Sequence, residues 1–252
     1  MADLNTLVEY TNDLLDITQF RDYCPNGLQV QGRADVKRLV GGVTASLDLV
    51  DAAIEAEADA ILVHHGYFWK GEDPTITGMK YERIRRLLAA DISLLGYHLP
   101  LDAHPEYGNN AQLAKHLGVQ REGGFAPHGK IDIASYGCLD KALSANELGQ
   151  RIHSVLQREP LFIQGHEREI RRIGWCTGAA QGYINEAAAL GLDAYLSGEV
   201  SEHTYHAARE LGIHYFAAGH HATERYGVMA LGQHLSERFD LEFSFLDLQN
   251  PV

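Results

Sequence analysis

Short apolar runs alternate with amphipathic stretches along the whole chain. Residues 4–15 carry helical spacing, and a turn-rich loop follows, Asp22-Tyr23-Cys24-Pro25-Asn26-Gly27. Arg38-Leu39-Val40-Gly41-Gly42-Val43 reads as a buried strand. The stretch 47–58 reads as a helix, with Leu47, Val50, Ile54 and Ala58 at helical spacing. Ala60-Ile61-Leu62-Val63 is a second strand. Residues 81–90 form a helix with Ile84, Leu87 and Leu88 on one face, and Leu94-Leu95-Gly96-Tyr97 is a third strand. A strand–helix–strand rhythm predicts a mainly parallel or mixed sheet covered by helices.

The rhythm returns in the second half together with some of the residues. Arg38-Leu39 lines up with Arg172-Ile173, and Asp59-Ala60 lines up with Asp193-Ala194 at the same separation. His98 and Asp102 line up with His220 and Glu224. The expectation is two similar α/β halves, 1–125 and 126–252, with the matched block over 171–252. Within the second half, 140–170 holds a connecting helix opened by the capping box Ser144-Ala145-Asn146-Glu147 and a short strand, Leu161-Phe162-Ile163.

Composition narrows the function. The 252 residues carry a formal net charge of −13, with 45% hydrophobic and 22% charged residues, which is a globular profile. The acidic balance disfavours nucleic acid as a partner. No apolar run reaches the ~18 residues of a membrane span. Met1-Ala2-Asp3-Leu4-Asn5 does not read as a secretory signal. Cys24, Cys138 and Cys176 are neither a disulfide framework nor a thiolate metal site, which fits a cytoplasmic protein.

The chain has 14 histidines against 8 phenylalanines. Five of them sit at predicted strand ends, where open parallel sheets place their sites. They fall in Val63-His64-His65-Gly66, in Tyr97-His98-Leu99-Pro100-Leu101-Asp102 and in Gly219-His220-His221-Ala222-Thr223-Glu224. The others, from His104 to His234, read as structural or surface residues. Imidazole with carboxylate and no thiolate suits Zn, Fe, Mn or Ni. So many ligands exceed one tetrahedral ion and suit two ions sharing a carboxylate, for which Glu224 is the candidate bridge. Alternation along a strand puts neighbours on opposite faces, so His64 and His65 bind together only if the strand has ended and curls at Gly66. Pro100 and Pro105 predict a loop around Asp102. Glu199, after Leu196-Ser197-Gly198, is open between a cleft residue and a helix N-terminal acid. Tyr67-Phe68-Trp69 is open between a cleft wall and a subunit contact. Gly41-Gly42 and Gly123-Gly124 lack the spacing of a phosphate loop. Cys176 has no assigned base.

Gly41-Gly42-Val43-Thr44-Ala45-Ser46, His64 through Gly71, His98-Leu99-Pro100-Leu101-Asp102 and Ala218 through Glu224 resemble the YbgI-type members of the Nif-three-like family, known as GTP cyclohydrolase I type 2 homologues. Asn26-Gly27-Leu28-Gln29-Val30 fits as well. The resemblance implies two interlocked α/β domains, a dinuclear metal centre and a ring-shaped homohexamer. It places the family's ligands on His64, His65, Asp102, His220 and Glu224, and places His98 near the metals.

The function expected is a two-metal hydrolase acting on a nucleotide-like substrate through activated water, with His98 or His221 moving protons. The alternative is a non-catalytic metal-binding ring that serves as a scaffold or adaptor.

Overall fold

The computed structural model describes residues 1–252. Packing groups them into two compact units, Met1–Leu101 with Gly227–Gln249, and Asp102–Tyr226 with Asn250–Val252. Both are α/β, with helix-flanked mixed sheets.

The first unit holds a five-stranded sheet in the order Glu242–Phe245, Arg38–Thr44, Ala60–His65, Ser93–Gly96, Gly27–Val30. The first four strands are parallel and Gly27–Val30 is antiparallel. Helix Leu47–Glu55 starts at Ser46, whose side chain accepts the Leu49 N–H at 3.2 Å. Leu49, Val50 and Ala53 then pack with Val40, Ile61, Val63, Leu87 and Leu94. This helix stops short of the predicted 58 because Glu57 turns left-handed, at φ 52°. Gly41 and Gly42 are packing glycines. An added Cβ at Gly41 would strike Phe243, and one at Gly42 would strike Leu49.

Two expectations near the histidines need correction. Strand Ala60–His65 runs two residues beyond Val63 and pairs Thr44 with His65. On its other side the ladder ends at Val63–Gly96. One-sided pairing lets the strand end twist, and the His64 and His65 rings lie 4.6 Å apart despite the alternation. The predicted loop around Asp102 is a short helix, Leu99–Ala103. Pro100 is its second residue, within the first turn, where a missing N–H costs no helical bond.

The second unit holds six strands in the order Val119–His128, Ile131–Leu143, Ile170–Cys176, Ala194–Ser197, His214–Ala217, Leu161–Ile163. The Ile170–Cys176, Ala194–Ser197 and His214–Ala217 strands are parallel, and the others pair antiparallel. The long hairpin Val119–His128/Ile131–Leu143 is absent from the predicted elements. Gly123, Gly124 and Pro127 look like turn residues, yet an edge strand tolerates them, here with a bulge between Arg121 and Gly123. Helix Ala145–Leu156 forms with the predicted capping box. Its Leu148 and Ile152 pack with Trp175, Leu196 and Phe216.

The matched sequence pairs turn out to be one structural device used twice. Asp59 Oδ2 accepts the backbone N–H groups of Lys37 and Arg38, both at 2.8 Å. Asp193 Oδ2 accepts those of Arg171 and Arg172, at 3.0 and 2.9 Å. In each unit a carboxylate between two parallel strands ties down the start of the first.

His166 and His214 are structural, as read from sequence. Their ring centroids are 3.8 Å apart. His214 Nδ1 accepts the Gly165 N–H, and His166 Nδ1 accepts the Arg168 N–H. A charged His214 imidazolium would forfeit the bond that its Nδ1 accepts from Gly165. Burial first, and then the electrostatic influence of the neighbouring His166, push the His214 imidazole down to about 4. The folded state then binds fewer protons than the unfolded state between pH 6.5 and about 4. Stability is lost as pH falls through that window, by on the order of 2 kcal/mol after allowance for solvent screening. Urea melts of the wild type and His214→Leu at pH 7 and pH 4.5 check this. The variant should lose less stability than the wild type between the two pH values.

Candidate functional site

In the first unit the site grows from the end of strand Ala60–His65 and the residues after Ser93–Gly96. His64 is fully buried. Its Nδ1 lies 2.9 Å from the Tyr97 carbonyl oxygen, an acceptor only, so Nδ1 carries the proton and Nε2 keeps its lone pair. His65 Nδ1 meets Thr44 Oγ1 at 3.1 Å. His98 Nδ1 meets Asp22 Oδ1 at 2.7 Å. Ring nitrogens of His64, His65 and His98 lie within 4.8 Å of one another, a group able to hold a metal ion. Trp69 turns its ring edge-to-face to His98 at 5.0 Å and is fixed by its own Nε1–H to the Gly66 carbonyl. Trp69 is thus a wall of the histidine cluster, while Tyr67 is buried in the core.

In the second unit His220 opens a short helix, His220–Thr223, after Gly219, and Glu224 caps it. His220 does not end a strand, but its four-residue spacing to Glu224 is helical, and its Nε2 lies 3.2 Å from Glu224 Oε2. His220 Nδ1 meets Glu199 Oε1 at 2.7 Å. That decides Glu199, which holds His220 and caps no helix. Burial alone would depress the His220 imidazole, but hydrogen bonds and charge from Glu224 and Glu199 outweigh it and raise it to about 9. Glu224 is 2% exposed. Asp102 is also buried, and its Oδ1 accepts from Asn109 Nδ2 at 2.9 Å and Thr177 Oγ1 at 3.1 Å. His221 gives its backbone N–H to the Val252 oxygen at 3.1 Å.

His64, His98 and His220 thus share one anchoring pattern: each Nδ1 faces a carbonyl or carboxylate oxygen, so that Nε2 is the nitrogen turned to other partners, in His220 the Glu224 carboxylate. Metal-binding histidines are held in this way by their outer partners. Asp22, Asn109, Thr177 and Glu199 supply or steady these groups. Of the four, only Glu199 stands out in the sequence: Asp22 and Thr177 act across large separations, and Asn109, though close to Asp102 along the chain, belongs to no motif. Cys176 is fully buried, and burial pushes its thiol well above the usual range, so it is no nucleophile.

These features define the class: a mixed α/β protein with clustered histidine and carboxylate side chains suited to divalent metal ions. The chain belongs to the Duf34/NIF3 (NGG1p interacting factor 3) family, whose model matches residues 2–251. It is 56% identical over 249 residues to a GTP cyclohydrolase 1 type 2 homolog of Pseudomonas aeruginosa, covering 99% of this chain and 98% of that one. It is 54% identical over 243 residues to the homolog of the same name from Vibrio cholerae, with 96% of each chain covered. Among solved structures it is similar to the protein ybgI, described as of unknown function, with a TM-score of 0.96, 48% identity and full coverage of both chains. A Thermus thermophilus protein matches with a TM-score of 0.91 and 31% identity over the full length of both. No helix is long and apolar enough to cross a membrane.

Proposed function

We propose that the chain is a dinuclear metal-dependent hydrolase acting on a nucleotide-like substrate, in which His64, His65, Asp102, His220 and Glu224 would hold the ions. The observation that carries this reading is the shared Nδ1 anchoring of His64, His98 and His220. The donor set fits divalent zinc, iron, manganese or nickel, and thiolate is absent from it. Buried Asp102 and Glu224 supply the negative charge that such ions neutralise. The name the relatives share, GTP cyclohydrolase 1 type 2 homolog, supports a nucleotide-like substrate.

A pair of bound ions supplies water of lowered pKa, the nucleophile that hydrolysis needs at neutral pH. The protein's own part is positioning and proton handling. Tyr97, Thr44 and Glu199 aim the ligand imidazoles. Asn109 and Thr177 hold the Asp102 carboxylate. His98 and His221 move protons to and from the substrate. The working form is a cytoplasmic homohexameric ring.

Protein purified without chelator is expected to carry close to two divalent ions per chain and to hydrolyse at least one member of a nucleotide, nucleoside and phosphoester panel. Asp102→Ala should lower both metal content and turnover. A loaded protein with no turnover on the panel, and an Asp102→Ala variant with unchanged metal content, would sink the reading. Light scattering of the same sample should give six times the chain mass, and a smaller mass removes the ring.

A further inference from the structure

We propose that Asp22 is the positioning residue for His98: it locks the Nδ1–H tautomer of the imidazole and aims Nε2 at the His64–His65 cluster. This rests on the hydrolase reading for what His98 does, but not for how it is held.

Asp22 lies in the loop before strand Gly27–Val30, far in sequence from every histidine of the cluster. Its side chain is only 2% exposed. A buried carboxylate needs donors, and Asp22 has four. Oδ1 accepts the Tyr23 N–H at 2.6 Å and His98 Nδ1–H at 2.7 Å. Oδ2 accepts Asn26 Nδ2–H and the Leu99 N–H, each at 2.9 Å. Asn26 returns the grip, since its Oδ1 accepts the His98 N–H at 2.7 Å. The loop therefore holds His98 at its backbone and at its ring. The net effect of these donors on Asp22, against the burial that opposes it, is to hold its carboxyl below the usual range. An ionised carboxylate can only accept, so the shared proton resides on Nδ1. The lone pair is left on Nε2, on the opposite edge of the ring. A ring nitrogen of His98 comes within 4.8 Å of those of His64 and His65, and the Trp69 edge packs on the ring.

Cys24 completes a group with Asp22 and His98 that has the composition of a cation site. Burial, and then the Asp22 charge, push its thiol up to about 12, so it stays a neutral thiol and a poor ligand. Asp22 spends both oxygens on donors within its own loop and on the His98–Leu99 segment. The arrangement is a carboxylate–imidazole pair and not a second ion site.

The test uses the full chain, zinc-loaded and labelled with nitrogen-15 histidine. Long-range proton–nitrogen spectra should show His98 protonated at Nδ1. In Asp22→Asn one amide orientation sets an NH2 against the Leu99 and Asn26 donors. The other sets it against Nδ1, which favours the opposite tautomer. The expected result is a shifted His98 nitrogen pattern, unchanged zinc content and turnover lower by about 10²–10⁴-fold. Placed in a His98→Gln background, Asp22→Asn should cost no further turnover, because both changes remove one unit. The proposal is overturned by a wild-type His98 protonated at Nε2, which needs no variant to fold. It is also overturned by a tautomer indifferent to Asp22→Asn, by zinc loss in that variant, or by turnover losses that multiply. A wild-type protein that binds no zinc would remove the hydrolase reading while leaving the tautomer result to stand.

Discussion

Glu224→Gln is expected to abolish high-affinity metal binding and to lower the stability of the metal-free protein at neutral pH. Both effects arise because the buried Glu224 carboxylate lies beside the His220 imidazole, 3.2 Å away. Altering residues that merely orient ligands typically costs 10–100-fold in metal affinity, so removing a ligand oxygen's charge should cost at least about 100-fold. Glutamine keeps the shape but removes the charge that offsets a protonated His220. The wild type should therefore gain thermal stability on adding zinc, by mass action, and the variant should not. His220 adds a pH signature. With its pKa raised to about 9, metal-free His220 is protonated at pH 7, and an entering ion must displace that proton. Apparent affinity should rise about tenfold per pH unit towards pH 9 in the wild type. In the metal-free state the sign reverses. The raised pKa stabilises the fold below pH 6.5, and that contribution is lost as pH climbs through about 9. Zinc titrations and melts with and without chelator, at pH 7 and pH 8.5, check all of this. A Glu224→Gln protein that binds zinc like the wild type overturns the ligand assignment.

The parts of this fold readable in the chain were those whose apolar residues run or repeat at a short local spacing. Helix Leu4–Leu14 and strands Arg38–Thr44 and Leu161–Ile163 follow directly from apolar spacing. The capped helix Ala145–Leu156 needs only the local pattern around Ser144 and Glu147. Where residues have two meanings, the pattern misleads. Pro100 breaks a helix interior but starts a helix well, and only the fold tells which position it occupies. Gly123, Gly124 and Pro127 are turn formers that an edge strand also accepts. The same limit divides the candidate site. His64, His65, His98, His220, Asp102 and Glu224 stand out because they cluster along the chain. Asp22, Asn109 and Thr177 are ordinary polar residues until the fold carries Asp22 to His98 and the other two to Asp102. A carboxylate that orients an imidazole leaves no local spacing to read. The repeat shows the converse. Asp59 and Asp193 matched in sequence because each makes the same two backbone bonds, a role set by local strand geometry.

Gly178→Ala should disable the second unit's metal ligands without touching any of them. Gly178 follows strand Ile170–Cys176 with φ +68°, and a Cβ there would collide with the Glu224 carboxylate and come within 3.2 Å of His220 Nε2. The backbone cannot easily retreat. The Gly178 N–H donates to Thr223 Oγ1, and its carbonyl accepts from Ser197 Oγ and from the Gly198 and Ala180 N–H groups. The carboxylate must therefore move, and with it the geometry that binds metal. Backbone strain alone accounts for about 1–2 kcal/mol of lost stability, since left-handed φ is unfavourable for alanine. Gly191 provides the control. Its φ is +66° and a Cβ there meets nothing within 4 Å. Gly191→Ala should show the same strain cost in urea melts and keep its metal. Gly178→Ala should lose a similar or larger amount of stability and, in addition, most of its bound metal. Equal metal content in the two variants would mean that the Glu224 carboxylate yields without consequence and is not a ligand whose position matters.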